Sequence, residues 1–423
     1  VQGNAGADTL SVLGGLLSST LRAGADADLI SLAGSVNRAE VSTNKGSDTL
    51  VLGSLLAATV YGGSATDTTT DGADSLRISG SVSASVLQGN AGADTFSISG
   101  DLIAGSSLYG GADNDLITVG GLLASATVLG NAGADTIVAQ STSVALVQAA
   151  VYGGGPGATE SGSDFISLGF QGATSATVLG AAGADTLVFG QVGTSWLNQS
   201  LLNAAAGDDS LVVLGAFDST TIQAGLGADT LLLQASGASV NLNAAFIAGL
   251  GADLVRASQL YGGTVWGDDG TDSALGAADK LEITTASLAL IRAEAGDDSL
   301  VLATASSVSL YGGAGADTLQ LTTGLGQGSW LDGGSEADRL VIQGQARTST
   351  LLGAAGDDSL VITAEATAMA VQGGEGADSL WFGASLSNAT VVGGVGDDSL
   401  IFNATASSSS ILGGAGHDRV GFD

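Results

Sequence analysis

GGAGADTLQ, residues 312–320, sets out two glycines, a third glycine two places on, then an acid, and an apolar residue two places after the acid. The formula returns as GGEGADSLW at 373–381 and GGVGDDSLI at 393–401, and in looser form as GNAGADTLS at 3–11. With the acid as reference, copies fall at Asp8, Asp28, Asp48, Asp74, Asp94, Asp115, Asp135, Asp164, Asp185, Asp209, Asp229, Asp253, Asp279, Asp298, Asp317, Asp338, Asp358, Asp378, Asp398 and Asp418. Most of these twenty copies lie 19 to 21 residues apart, and the wider steps of 24, 26 and 29 read as insertions that keep register.

Other positions follow the same register. Two residues after each reference Asp the side chain is always apolar, from Leu10 to Val420, and four residues after it is apolar again, from Val12 to Phe422. Period two with one apolar face marks a strand. Seven residues before the acid, in the seventeen copies without an inserted loop at that edge, stands a further apolar residue, such as Val128, Leu310, Val371 or Ile411. Each copy therefore reads as strand, turn, strand, glycine turn. One such unit cannot bury its apolar face alone, whereas stacked units share a core. The expected fold is all-β: a parallel β-roll or β-helix solenoid of about 20 coils of about 20 residues, a single array over 1–423. At about 4.8 Å per coil it would be roughly 95 Å long.

Composition narrows the function. The chain carries 42 acidic and ten basic residues, a net charge of −32, 68 glycines, one proline and no cysteine. Nucleic acid and anionic membranes demand Lys and Arg, so neither is expected as a partner. No apolar run of 18 residues exists, and no membrane insertion is expected. Without cysteine there are no disulfides and no thiolate metal sites. The chain opens on VQGNAG and closes on RVGFD, both inside the pattern, which suggests an excerpt of a longer array or a protomer that stacks end to end.

Stacking sets the reference acids in one column about 4.8 Å apart. At an effective dielectric near 20, two neighbouring charges repel by about 3.5 kcal/mol. Turn capping alone would be served by Asn without that repulsion, yet Asn never takes the reference position. Glycine tolerates positive φ and brings carbonyls close to a ligand, and it stands two before the acid in 16 of the 20 copies. A hard cation between turns resolves the conflict. Calcium, with six to eight oxygen ligands, suits the site better than magnesium, and zinc lacks its usual ligands. A metal-free ladder of Asx turns is the alternative.

GGAGADTLQ resembles the GGxGxDxUx nonapeptide of the RTX (haemolysin-type) calcium-binding repeats. The resemblance implies a calcium-loaded parallel β-roll in a secreted bacterial protein, exported by a one-step type I pathway. It implies as ligands the twenty aspartates above with carbonyls of the preceding turn, for example Gly313 and Gly315. Family coils have 18 residues and a nonapeptide at both edges, whereas the second edge here reads GGLLSST (14–20) or TASSVSL (304–310). One calcium column with at most nineteen inter-turn sites is therefore expected, with coordination in question where Asp26, Asp113, Ala277 or Glu336 replaces the glycine before the acid.

Three insertions enlarge the calcium edge, at 64–74, 155–164 and 264–279, each after a YGG tripeptide, and all five tyrosines (Tyr61, Tyr109, Tyr152, Tyr261, Tyr311) stand in YGG. Period puts these rings outward before the turn, bracing the loop or touching a neighbouring molecule. Asp268, Asp269 and Asp272 are candidates for a further calcium, without matching an EF-hand loop. Insertions around 193–200 and 238–246 fall at the opposite edge. The single histidine, His417, permits no Ser-His-Asp set, and the basic residues nearest to carboxylates for a lyase are Arg256, Lys280 and Arg292. The expected function is an extracellular, calcium-dependent structural protein of a bacterial surface layer, filament or adhesin stalk, self-associating end to end or laterally. Cell-surface polysaccharide is a further candidate partner. It is not expected to be an enzyme; the rival is an RTX domain serving a secreted enzyme or toxin whose active region lies elsewhere.

Overall fold

The computed structural model describes residues 2–64, 71–140, 146–155, 162–191, 195–234, 243–269 and 276–422. They fall into two compact units, Val1–Gly215 and Ala216–Asp423. Each is a parallel β-solenoid with coils of roughly 20 residues, and no helix occurs among the described residues.

One coil of the first unit runs through the strands Thr95–Ile98, Leu102–Ile103 and Ser107–Ala112. Each pairs in parallel with its counterpart one coil on, Phe96 beside Ile117, Leu102 beside Leu123 and Leu108 beside Val128. In the second unit Thr318–Leu325 and Trp330–Ser335 set Leu319 beside Leu340 and Leu331 beside Leu351. The alternation in sequence is the alternation in burial: Phe96, Ile98 and Leu108 are buried, while Thr95 and Ser97 between them are partly exposed. Equivalent side chains stack along each unit, as Phe382, Phe402 and Phe422 do with near-parallel rings at 4.8 and 5.0 Å.

The coil has three strands where the period predicts two. The additional strand is only two or three residues long in the first unit, such as Leu102–Ile103, Leu123–Ala124 or Gly172–Thr174. It offers a single inward residue, too little for a period to show. In the second unit this segment can run on from its predecessor, giving the eight-residue strands Lys280–Ser287, Ser299–Ser306 and Thr318–Leu325. The second corner turns through one left-handed residue that need not be glycine, for example Ser125 (φ 49°) or Asn388 (φ 52°). That explains why no glycine-acid formula marks it.

Candidate metal centre

The glycine turn between Ser309–Ala314 and Thr318–Leu325 passes through two left-handed positions, Gly313 and Gly315, both at φ 126°. Such values favour glycine. Where Asp26, Asp113 and Glu336 stand at the second of these positions they adopt φ 75°, 72° and 71°. Their carboxylates accept from the glycine amide one coil earlier: Gly6 to Asp26 at 2.9 Å, Gly92 to Asp113 at 3.3 Å, and Gly315 to Glu336 at 2.9 Å. These acids tie neighbouring coils together at the rim.

The reference aspartates form the column that the repeat predicts. All are buried except Asp8 and Asp418, which are half-buried in the outermost described coils. From Asp28 to Asp209 and from Asp253 to Asp418 each carboxylate uses one oxygen in the same way. The Asp298 amide donates to Asp317 Oδ1 at 2.8 Å, the Asp317 amide to Asp338 Oδ1 at 2.8 Å, and the Asp338 amide to Asp358 Oδ1 at 2.8 Å. In the first unit the ladder runs without a break from the Asp8 amide to Asp209 Oδ1. In the second it runs from the Asp229 amide to Asp418 Oδ1.

The other oxygen is the informative one. In Asp94, Asp115, Asp317, Asp358 and Asp378, among others, Oδ2 is buried with no hydrogen-bond partner. Burial without compensation costs a carboxylate more than almost any other group. Desolvation accordingly pushes these acids far up: Asp164, Asp298 and Asp358 to about 6, Asp115, Asp253 and Asp317 to about 8, and Asp74 and Asp279 to about 9. The single amide bond to each works the other way and does not offset burial.

What Oδ2 faces is another acceptor. A point where a side chain would begin on Gly312 lies 2.3 Å from Asp317 Oδ2 and 2.3 Å from the Gly333 carbonyl oxygen of the next coil. At Gly353 the same point lies 2.3 Å from Asp358 Oδ2 and 2.5 Å from the Gly373 carbonyl. Two oxygens converge with no donor between them, which suits a hard cation and no neutral side chain. Among the described residues no three His, Cys, Asp or Glu side chains gather as a metal cluster. Any ion here would therefore draw most of its ligands from carbonyls, with the column aspartates supplying charge. The donor set fits calcium, and Asp oxygens with turn carbonyls such as those of Gly313 and Gly333 are the residues that would hold it.

Two insertions bring further acids to this edge. Asp71 Oδ1 accepts from the Gly46 and Gly72 amides, each at 2.9 Å, and burial raises it. Asp268 is buried, with Oδ2 accepting from the Ala295 amide at 3.1 Å and Oδ1 unpartnered. Their charges act on the column acids Asp74 and Asp94, and Asp253, Asp279 and Asp298, respectively. The sequence reading grouped Asp268 with Asp269 and Asp272; Asp272 lies outside the described residues, and Asp268 turns to the column instead. Much of the insertion at 155–164 also lies outside them.

The tyrosine reading needs one correction. Tyr109, Tyr152 and Tyr311 do stand outward in the strand before the turn, as Tyr61 does. Tyr261 does not: it ends Leu254–Tyr261 in register with Ser287, and Trp266 of Thr264–Trp266 takes the place beside Arg292. The reason is count. Tyr261 is eight residues past Asp253, which is the second corner, so the enlarged edge begins after Trp266 rather than after YGG. Arg292 in turn lies 5.1 Å over the Tyr311 ring. Arg256 and Lys280 both pair with Glu282, at 2.6 and 2.5 Å, on a different strand from Arg292. His417 is exposed, its amide donating to Asp397 Oδ1 at 2.8 Å.

One family model agrees with this chemistry. The model of the RTX calcium-binding nonapeptide repeat matches residues 106–121 and 300–324. The chain thus carries calcium-binding repeats of the RTX type within a parallel β-solenoid. A search of curated proteins returned no match. A solved structure of a hyperactive, Ca2+-dependent, β-helical antifreeze protein from an Antarctic bacterium aligns with 84% of this chain and 85% of its own, at 18% identity and a TM-score of 0.26.

Proposed function

We propose that this chain is an extracellular structural protein whose folding is driven by calcium bound along the aspartate column, serving a bacterial surface layer, filament or adhesin stalk. One observation carries the reading: buried column carboxylates such as Asp94, Asp115, Asp317, Asp358 and Asp378 keep an oxygen without a donor, and where glycine precedes the acid, as at Gly312 and Gly353, that oxygen faces a carbonyl of the next coil. A single such site could serve catalysis, whereas a uniform file supports a scaffold. In a calcium-poor cytoplasm the charged file opposes compaction and the chain stays exportable. Outside, each occupied site stabilises the folded state by mass action, about 2.7 kcal/mol for an ion a hundredfold above its Kd. Self-association, lateral or end to end, completes the scaffold reading.

Far-UV circular dichroism through a calcium titration, with magnesium as control, tests it. A rise in the midpoint of thermal loss of the β signal at sub-millimolar to millimolar calcium, absent with magnesium, is the expected result. A midpoint in excess chelator equal to that in calcium would remove the calcium switch and the export logic built on it.

A further inference from the structure

We propose that one residue of the glycine edge gates each coil, the residue five places before the column aspartate where the turn is not enlarged and Gly62, Gly153 or Gly267 where it is: glycine there leaves room for an ion, and alanine or threonine closes it. The proposal rests on the calcium reading above.

The glycines of the repeat are not alike. Gly313 and Gly315 answer a backbone demand, since both sit at positive φ. Gly312, Gly353 and Gly373, five before their aspartates, have no positive φ. A glycine in such a strand position is less stable than alanine, so it needs another reason. Seating the aspartate is not that reason. Ala293 holds the same place before Asp298, with its methyl fully buried, and the Asp279 amide still donates to Asp298 Oδ1 at 2.7 Å. Ala23 before Asp28 and Ala248 before Asp253 do likewise, with Asp28 Oδ1 accepting from the Asp8 amide at 2.6 Å and Asp253 Oδ1 from the Asp229 amide at 2.7 Å. The fold and the hydrogen-bond ladder therefore accept a methyl there.

What the methyl removes is the space between the two oxygens. At Gly353 that space is bounded by Asp358 Oδ2 at 2.3 Å and the Gly373 carbonyl at 2.5 Å from the point a Cβ would occupy. A carbon placed there stands between the acid and the carbonyl that would share an ion. Six coils are closed in this way, those of Asp28, Asp48, Asp209, Asp229, Asp253 and Asp298, preceded by Ala23, Thr43, Ala204, Ala224, Ala248 and Ala293. The ion file is interrupted at these coils in both units, and the chain binds fewer ions than its column of aspartates suggests.

The test is a pair of single substitutions read by the number of calcium ions bound per chain, from elemental analysis after equilibrium dialysis and from native mass spectrometry. Gly353→Ala is expected to bind one ion fewer than the parent, and Ala293→Gly one ion more, both with unchanged far-UV circular dichroism in calcium. The second variant adds no atoms, so its outcome does not depend on tolerance of a methyl. A parent that binds calcium while both variants keep the parental count would overturn the gate and leave the calcium reading standing. A parent that binds no calcium would sink that reading itself.

Discussion

The choice of aspartate over asparagine decides how the turn is held together. Asp358 Oδ1 already accepts from the Asp338 amide at 2.8 Å, and Asn would keep that bond. Oδ2 is buried, unpartnered and turned toward the Gly373 carbonyl, and desolvation lifts the acid to about 6. In Asp358→Asn the amide nitrogen would take the place of Oδ2 and donate to that carbonyl. The substitution should raise stability in calcium-free buffer by roughly 1–2 kcal/mol, because it removes an uncompensated buried acceptor and adds a hydrogen bond. In saturating calcium it should lower stability and remove at least one bound ion. Urea unfolding of parent and variant in both buffers reads this directly. A loss of stability in calcium-free buffer would mean that the carboxylate has a partner other than an ion.

At the scale of the strand, the inward residue of the short third strand is as fully buried as those of the long ones. Leu123 of Leu123–Ala124 is fully buried and lies in register between Leu102 and Leu146. Leu123→Ala should cost about 2–5 kcal/mol, the range for a buried leucine whose site cannot collapse. Because each coil touches only its neighbours, hydrogen exchange should quicken most in the flanking coils of the first unit. Uniform quickening throughout that unit would argue against local cooperativity. The same strand shows what a sequence conceals. Leu319 and Leu321 announce themselves by alternation over several residues, and Leu310 by its fixed distance from Asp317, so two strands and the turn were legible. Leu102–Ile103 has one inward residue and no alternation to display. Tyr261 was misplaced because it was counted from a tripeptide rather than from Asp253. The contributions of Asp71 and Asp268 lay hidden in acid-rich insertions, where composition cannot say which carboxylate turns inward. The reference aspartates were legible as a column, but their single amide bond and orphan oxygen were not, since both depend on a neighbour one coil away.

Across the molecule these local acids sum to a pH response whose sign depends on calcium. Column acids from Asp74 to Asp185 and from Asp253 to Asp378 are raised by burial to values between about 6 and about 9, above the ordinary 3.8. Between those limits the folded chain binds more protons than the unfolded chain, so without metal its stability falls as pH rises. The loss begins above the unfolded value and continues until the folded acids have ionised, near pH 9. Below about pH 4 both states are protonated and the dependence ends. Calcium reverses the slope, because it needs the ionised carboxylate and competes with the proton. The net charge of −32 adds repulsion in the same direction as the metal-free trend. In buffer stripped of divalent ions, the thermal midpoint should be higher at pH 5 than at pH 8. In millimolar calcium it should be higher at pH 8 than at pH 5. The measurement is a thermal melt followed by circular dichroism at both pH values, with and without calcium. Slopes of the same sign in the two buffers would show that protons and calcium do not share the aspartate column, and the metal would have to be sought elsewhere on the chain.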